Sequence, residues 1–127
     1  MQEEAVPFRH LLSADAVLSK AALRAGERLG LSSAMLAKVL GLSPPTVTRM
    51  RQGAYVLNEK EKAYELAALF VRLYRSLDAI VGGDDAVAVR WLQADNIALG
   101  DKPVNMIQKV TGLFHVLQYL DARRAPG

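Results

Sequence analysis

The sequence predicts an all-α protein: an N-terminal helix-turn-helix lobe, a long connecting helix and a small C-terminal helical lobe. Ala and Leu recur at spacings of three and four, whereas Val and Ile form none of the alternating runs that a half-buried strand requires. Ser, Asp, Pro and Gly fall at intervals that start and stop helices. With 127 residues, 51% of them hydrophobic and 23% charged, the chain has enough apolar material for one core and buries about two-thirds of its unfolded surface on folding.

Each element follows from local punctuation. Asp15 is the expected cap of a helix over 16–28, with Ala22, Ala25 and Leu29 on one side and Lys20, Arg24 and Arg28 on another. Gly30 stops it, Ser32 or Ser33 caps a helix over 34–40, and Gly41 breaks that one. Ser43 then stands at an N-cap with Pro44 at the first helical position, where a missing N–H costs nothing, and the helix runs to Gln52 before Gly53. Asn58 or Glu59 opens a long helix to about Val81, carrying the stripe Leu66, Leu69, Phe70, Leu73, Leu77 and Ile80. Gly82 and Gly83 end it. Asp84 caps a helix through Gln93 whose apolar face includes Val87 and Trp91, turn residues fill 94–102, and Pro103 starts a helix to Thr111. Gly112 is expected to punctuate before a last helix over 113–123, with Leu113, Val116, Leu117 and Leu120 aligned. The lobes are thus placed at 1–57 and 82–127, with the connector at 58–81.

The stretch SAMLAKVLGLSPPTVTRMRQ, residues 33–52, is a helix-turn-helix in its spacing. Ala37 is small where the second helix crosses the first, Gly41 lets the backbone turn, and Val47 and Met50 face Leu36 and Leu40. That pattern leaves Pro44, Pro45, Thr46, Thr48, Arg49 and Gln52 outward on the second helix, the one such motifs set into a DNA major groove. Arg49 is the best base reader, since its fork bonds guanine O6 and N7 together; Gln52 has the same geometry for adenine. Thr46 and Thr48 offer a hydroxyl to phosphate or a methyl to thymine, the two prolines offer a rigid apolar edge, and Ser43 is a cap first. Lys38, with Arg24 and Arg28, is placed to reach flanking phosphates.

Charge distribution agrees. Between Ala16 and Asn58 there are six cations and one anion, whereas 63–127 holds seven of each. A basic front half of this kind is either a polyanion footprint, because each cation set against a phosphate releases condensed counterions, or a solvated face that happens to be basic.

Catalysis has little to work with. Cysteine is absent, which removes thiolate nucleophiles and Cys-based zinc sites and fits a reducing cytoplasm. His10, in the leader, and His115, expected to pack or hydrogen-bond, are far apart, and no GxSxG elbow, glycine-rich phosphate loop or HExxH occurs. No catalytic residue, metal or cofactor is expected. No apolar run reaches the roughly 20 residues that cross a bilayer, and the start, MQEEAVPFRH, is acidic where a secretory signal is basic, so a soluble cytoplasmic protein without membrane contact is expected.

The back half carries a more specific signal. Residues 82–120 contain Ala88 to Trp91 followed by Leu92, then Asn96, Ala98, Leu99 and Gly100, then Pro103 and Gly112. This run resembles the C-terminal toxin-binding domain of Xre/MbcA/ParS-type antitoxins, and the helix-turn-helix upstream stands where theirs does. Asp101 departs from the family, where a second glycine is common, and so does the tail Arg123, Arg124, Ala125, Pro126, Gly127. The resemblance implies an antitoxin that dimerises, holds a RES-domain, NAD-consuming toxin inactive, and binds operator DNA to repress its own operon. By residue type alone Trp91 and Leu99 read as core and Asn96 and Gly100 as turn formers; the resemblance turns part of the back lobe toward a partner, with Trp91, Asn96, Leu99, Gly100, Arg123 and Arg124 the expected toxin or dimer contacts. The alternative is a stand-alone repressor whose back half only dimerises.

Overall fold

A computed structural model describes residues 13–124, in which seven helices and no strands are found. The first, α1 (Ala14–Arg28), is capped two residues before the expected Asp15, because the hydroxyl of Ser13 accepts the Ala16 N–H at 3.1 Å. Asp15 lies in the first turn, where its charge suits the helix dipole. Helices α2 (Ser33–Leu40) and α3 (Pro44–Arg51) start and stop as their punctuation requires: Ser32 caps Met35, Gly41 takes φ 71°, and Ser43 caps Thr46 with Pro44 at the first position.

The long helix α4 (Lys62–Ile80) starts later than Asn58 or Glu59. Those residues are used in the preceding turn, where Asn58 Oδ1 accepts the Lys60 N–H and Glu61 Oε1 accepts the Asn58 N–H. The other oxygen of Glu61 accepts the Tyr55 hydroxyl, so one carboxylate staples the loop at both ends. This hydrogen bond is the main reason the Tyr55 phenol titrates above its ordinary range, with burial and the charge of Glu61 adding to it. The buried Ser19 hydroxyl accepts the Leu57 N–H at 2.9 Å and donates to the Asp15 carbonyl, tying the loop to α1.

The back lobe holds α5 (Asp85–Gln93), the single turn α6 (Pro103–Met106) and α7 (Val110–Arg124). On α5 the deeply buried side chains are Ala88 and Leu92, while Val87 and Trp91 are only partly covered. The helix expected from Pro103 to Thr111 ends at Met106 instead, and Gly112 lies within α7. Its role is packing: a Cβ at Gly112 would stand 2.0 Å from the Met106 carbonyl oxygen. Only a residue without a side chain lets the start of α7 pass so close under α6.

One buried cluster runs from Ala22, Leu36, Val47 and Leu57 through Phe70, Leu73 and Leu77 to Leu92, Leu113, Val116 and Leu120. Helix α4 supplies its middle and packs against α1, α2, α5 and α7. It is therefore a shared wall of both lobes and not a spacer between them. At its far end Ile80, counted in the apolar stripe, leaves the core and is exposed.

Candidate functional site

Helices α2 and α3 lock through Leu36, Leu40, Val47 and Met50, all buried, with Ala37 1% exposed between them. That packing fixes which side of α3 is free. Ser43, Pro44, Pro45, Thr48, Arg49 and Gln52 are exposed and Thr46 is half-buried, so the predicted reading residues do share one outward surface. Polar contacts order it. Ser43 Oγ and Thr46 Oγ1 are 2.9 Å apart, Thr46 Oγ1 accepts from Arg49 Nη2 at 2.9 Å, and Thr48 Oγ1 donates to the Pro44 carbonyl at 3.2 Å. The guanidinium of Arg49 is thereby held along the helix.

Not every cation of the front half belongs to this surface. Lys20, Arg24, Lys38 and Arg51 are exposed, but Arg51 Nε donates to Ser33 Oγ at 3.1 Å, which turns it along α2. Arg28, expected near a phosphate, instead faces the back lobe: its Nη1 donates to the Tyr74 hydroxyl at 3.4 Å and lies 4.0 Å from Asp85. The Tyr74 hydrogen bond, more than the nearby carboxylates, raises its pKa further above the ordinary value.

Two antitoxin family models match the chain: the Xre-like helix-turn-helix domain over residues 2–72, and the Xre/MbcA/ParS C-terminal toxin-binding domain over residues 76–125. The chain belongs to the Xre-type antitoxins. It is an antitoxin of a toxin-antitoxin system, with a helix-turn-helix followed by a toxin-binding domain. No curated protein matches it. The two matched regions meet inside α4, between residues 72 and 76.

Within the toxin-binding domain of the antitoxin, the residues expected to meet a partner divide by burial. Leu99 is 8% exposed and belongs to the core; it anchors a turn and does not itself face outward. Asn96 makes that turn, its Oδ1 accepting the Leu99 N–H at 3.1 Å and its carbonyl accepting the Gly100 N–H at 2.8 Å, while Gly100 takes φ 87°. Between them Ile97 is 100% exposed, held out on a rigid loop. Trp91 is half-buried and stacks on Tyr119 at 6.3 Å, and Arg123 lies over the other partner of that stack, 3.9 Å from the Tyr119 ring centre. Arg124 Nη1 donates to the fully buried Ser76, whose hydroxyl donates to Asp121, which also pairs with Arg72. Arg124 therefore ties α7 to α4, while Arg123 covers a ring of its own helix.

Sequence reasoning missed the exposure of the apolar residues Val17, Ile80, Ile97, Val110 and Phe114. Val110 and Phe114, one helical turn apart on α7, had no mark of their own beside the buried Leu113 and Val116; only the orientation of α7 against α4 tells them apart. His115, expected to pack or hydrogen-bond, is exposed and does not pack in the core. His10 and residues 125–127 lie outside the described residues. Among the described residues, no group of three or more His, Asp or Glu is placed to hold a metal, and no helix is long and apolar enough to cross a membrane.

Proposed function

We propose that this antitoxin neutralises a cognate RES-type, NAD-consuming toxin in the cytoplasm and represses its own operon by binding operator DNA as a homodimer. The observation that carries the DNA half is the outward, hydrogen-bonded row of Arg49 and its neighbours on α3, a helix locked from behind by Val47 and Met50. Arg49 reads a guanine, Gln52 extends the reading, and Lys38 meets phosphate. Two-fold pairing sets the two recognition helices about 34 Å apart, one turn of DNA, and calls for an inverted-repeat operator.

Neutralisation needs no chemistry from this chain, only coverage of the toxin's substrate entrance. The exposed Ile97, Val110 and Phe114, with Trp91 and Arg123 near the same domain's surface, supply apolar contact area of the kind protein partners bury. Coexpression with the adjacent open reading frame, scored by growth rescue, tests the toxin half. Loss of toxicity on coexpression and NAD depletion without it are the expected results. A neighbour that is harmless when expressed alone overturns the toxin assignment in favour of a stand-alone repressor.

A further inference from the structure

Helix starts in DNA-reading proteins commonly bind phosphate, because the first backbone N–H groups of a helix have no partner inside it. Helix α3 has spent that capacity. Pro44 and Pro45 carry no N–H, the Thr46 N–H is taken by Ser43 Oγ at 3.3 Å and the Ser43 carbonyl at 3.1 Å, and the Val47 N–H bonds the Ser43 carbonyl at 3.2 Å. The side-chain hydroxyls are engaged as well. Thr48 donates to the Pro44 carbonyl, and Thr46 Oγ1 bonds Ser43 Oγ and accepts from Arg49 Nη2.

What remains outward at this end is apolar: the rings of Pro44 and Pro45 and the methyl of Thr48, all on exposed residues. Pro44 and Thr48 are four residues apart, as are Pro45 and Arg49, so on the helix surface this small apolar patch adjoins the Arg49 fork. In the major groove the one apolar group a base edge presents is the C5-methyl of thymine. We infer that the first turn of α3 is a methyl reader, selecting a thymine beside the guanine held by Arg49. The inference rests on the proposed DNA-reading role of α3 and adds the base class taken by its N-terminal turn.

The test begins with the full chain and selection of binding sites from a randomised duplex pool, followed by replacement of each thymine in the selected site with deoxyuridine, which removes only the methyl. Binding is expected to weaken by about fourfold for each methyl that the patch covers, at a thymine adjoining the selected guanine. Thr48→Ser keeps the hydroxyl bond to Pro44 and deletes the side-chain methyl; it is expected to shrink the thymine-over-uracil ratio while leaving the guanine preference intact. Arg49→Ala is expected to do the reverse. Restoring a methyl as 5-methylcytosine, with guanine opposite, separates recognition of the methyl from recognition of the whole thymine, and partial recovery is expected. A selected site whose thymines all tolerate uracil overturns the methyl reader and leaves Arg49 readout standing. Failure to select any sequence overturns the DNA-reading proposal itself.

Discussion

The two ends of this molecule present opposite surfaces on one core. Among the described residues, the front lobe shows cations and short hydrogen-bonded side chains around α3 and exposes a single large apolar residue on α1, Val17, whereas the back lobe balances its charges and exposes Ile97, Val110 and Phe114. Their crossings differ in the same direction. In the front, Gly26 of α1 lies under the tip of Leu36, and an added Cβ would meet that methyl at 3.0 Å; in the back, a Cβ on Gly112 would meet the Met106 backbone at 2.0 Å. A leucine tip can swing aside. A carbonyl in a one-turn helix cannot, so the back lobe's shape is fixed by backbone and the front's by side chains.

The most damaging way to break this comparison is Gly112→Ala. Overpacking against backbone is expected to cost about 3 kcal/mol, lowering the melting temperature by roughly 10 °C. Gly26→Ala, by contrast, is expected to cost under about 1 kcal/mol, since Leu36 can shift and alanine favours the helix. Equal losses from the two would show that the crossings are alike after all. Ser19→Ala comes next: it strands the buried Leu57 N–H and is expected to cost about 1 to 3 kcal/mol in denaturant unfolding.

At the surfaces, Arg49→Ala is expected to weaken specific DNA binding by about 1 to 3 kcal/mol and relax one base position, whereas Lys38→Ala should weaken all sequences alike. Raising salt sharpens the contrast. DNA affinity should fall steeply and toxin affinity far less, as titrations of each complex from low to physiological salt would reveal.

The smallest effect is alkaline. The fold favours the protonated Tyr55, because the Glu61 hydrogen bond raises its pKa. Its contribution is therefore complete below the unfolded tyrosine value of about 10 and is lost as pH rises through the folded one. Tyr55→Phe should cost about 1 kcal/mol near neutral pH and flatten that alkaline decline.

Much of the fold could be read before any coordinates because its signals are local. Ser32, Gly41, Ser43, Pro44 and Asp84 act on backbone groups within a few residues, and the structure uses each as its position implies. The errors arose where a residue answers to a contact that its own position does not announce. Gly112 looks like a stop until Met106 is seen above it, and Asn58 looks like a cap until Glu61 and Tyr55 claim the turn. The same division holds for the surfaces. The outward side of α3 follows from the inward Val47 and Met50, but nothing near Ile97 in the chain announces that Leu99 is pulled into the core and Ile97 is left outside.

Helix α4 has a consequence for how the whole chain unfolds. Its side chains sit beneath α1 and α2 and beneath α7, with Arg72, Ser76, Asp121 and Arg124 laced across the join. Loosening α7 therefore uncovers core that α4 shares with α1 and α2. The two lobes are thus expected to lose their structure in a single cooperative collapse.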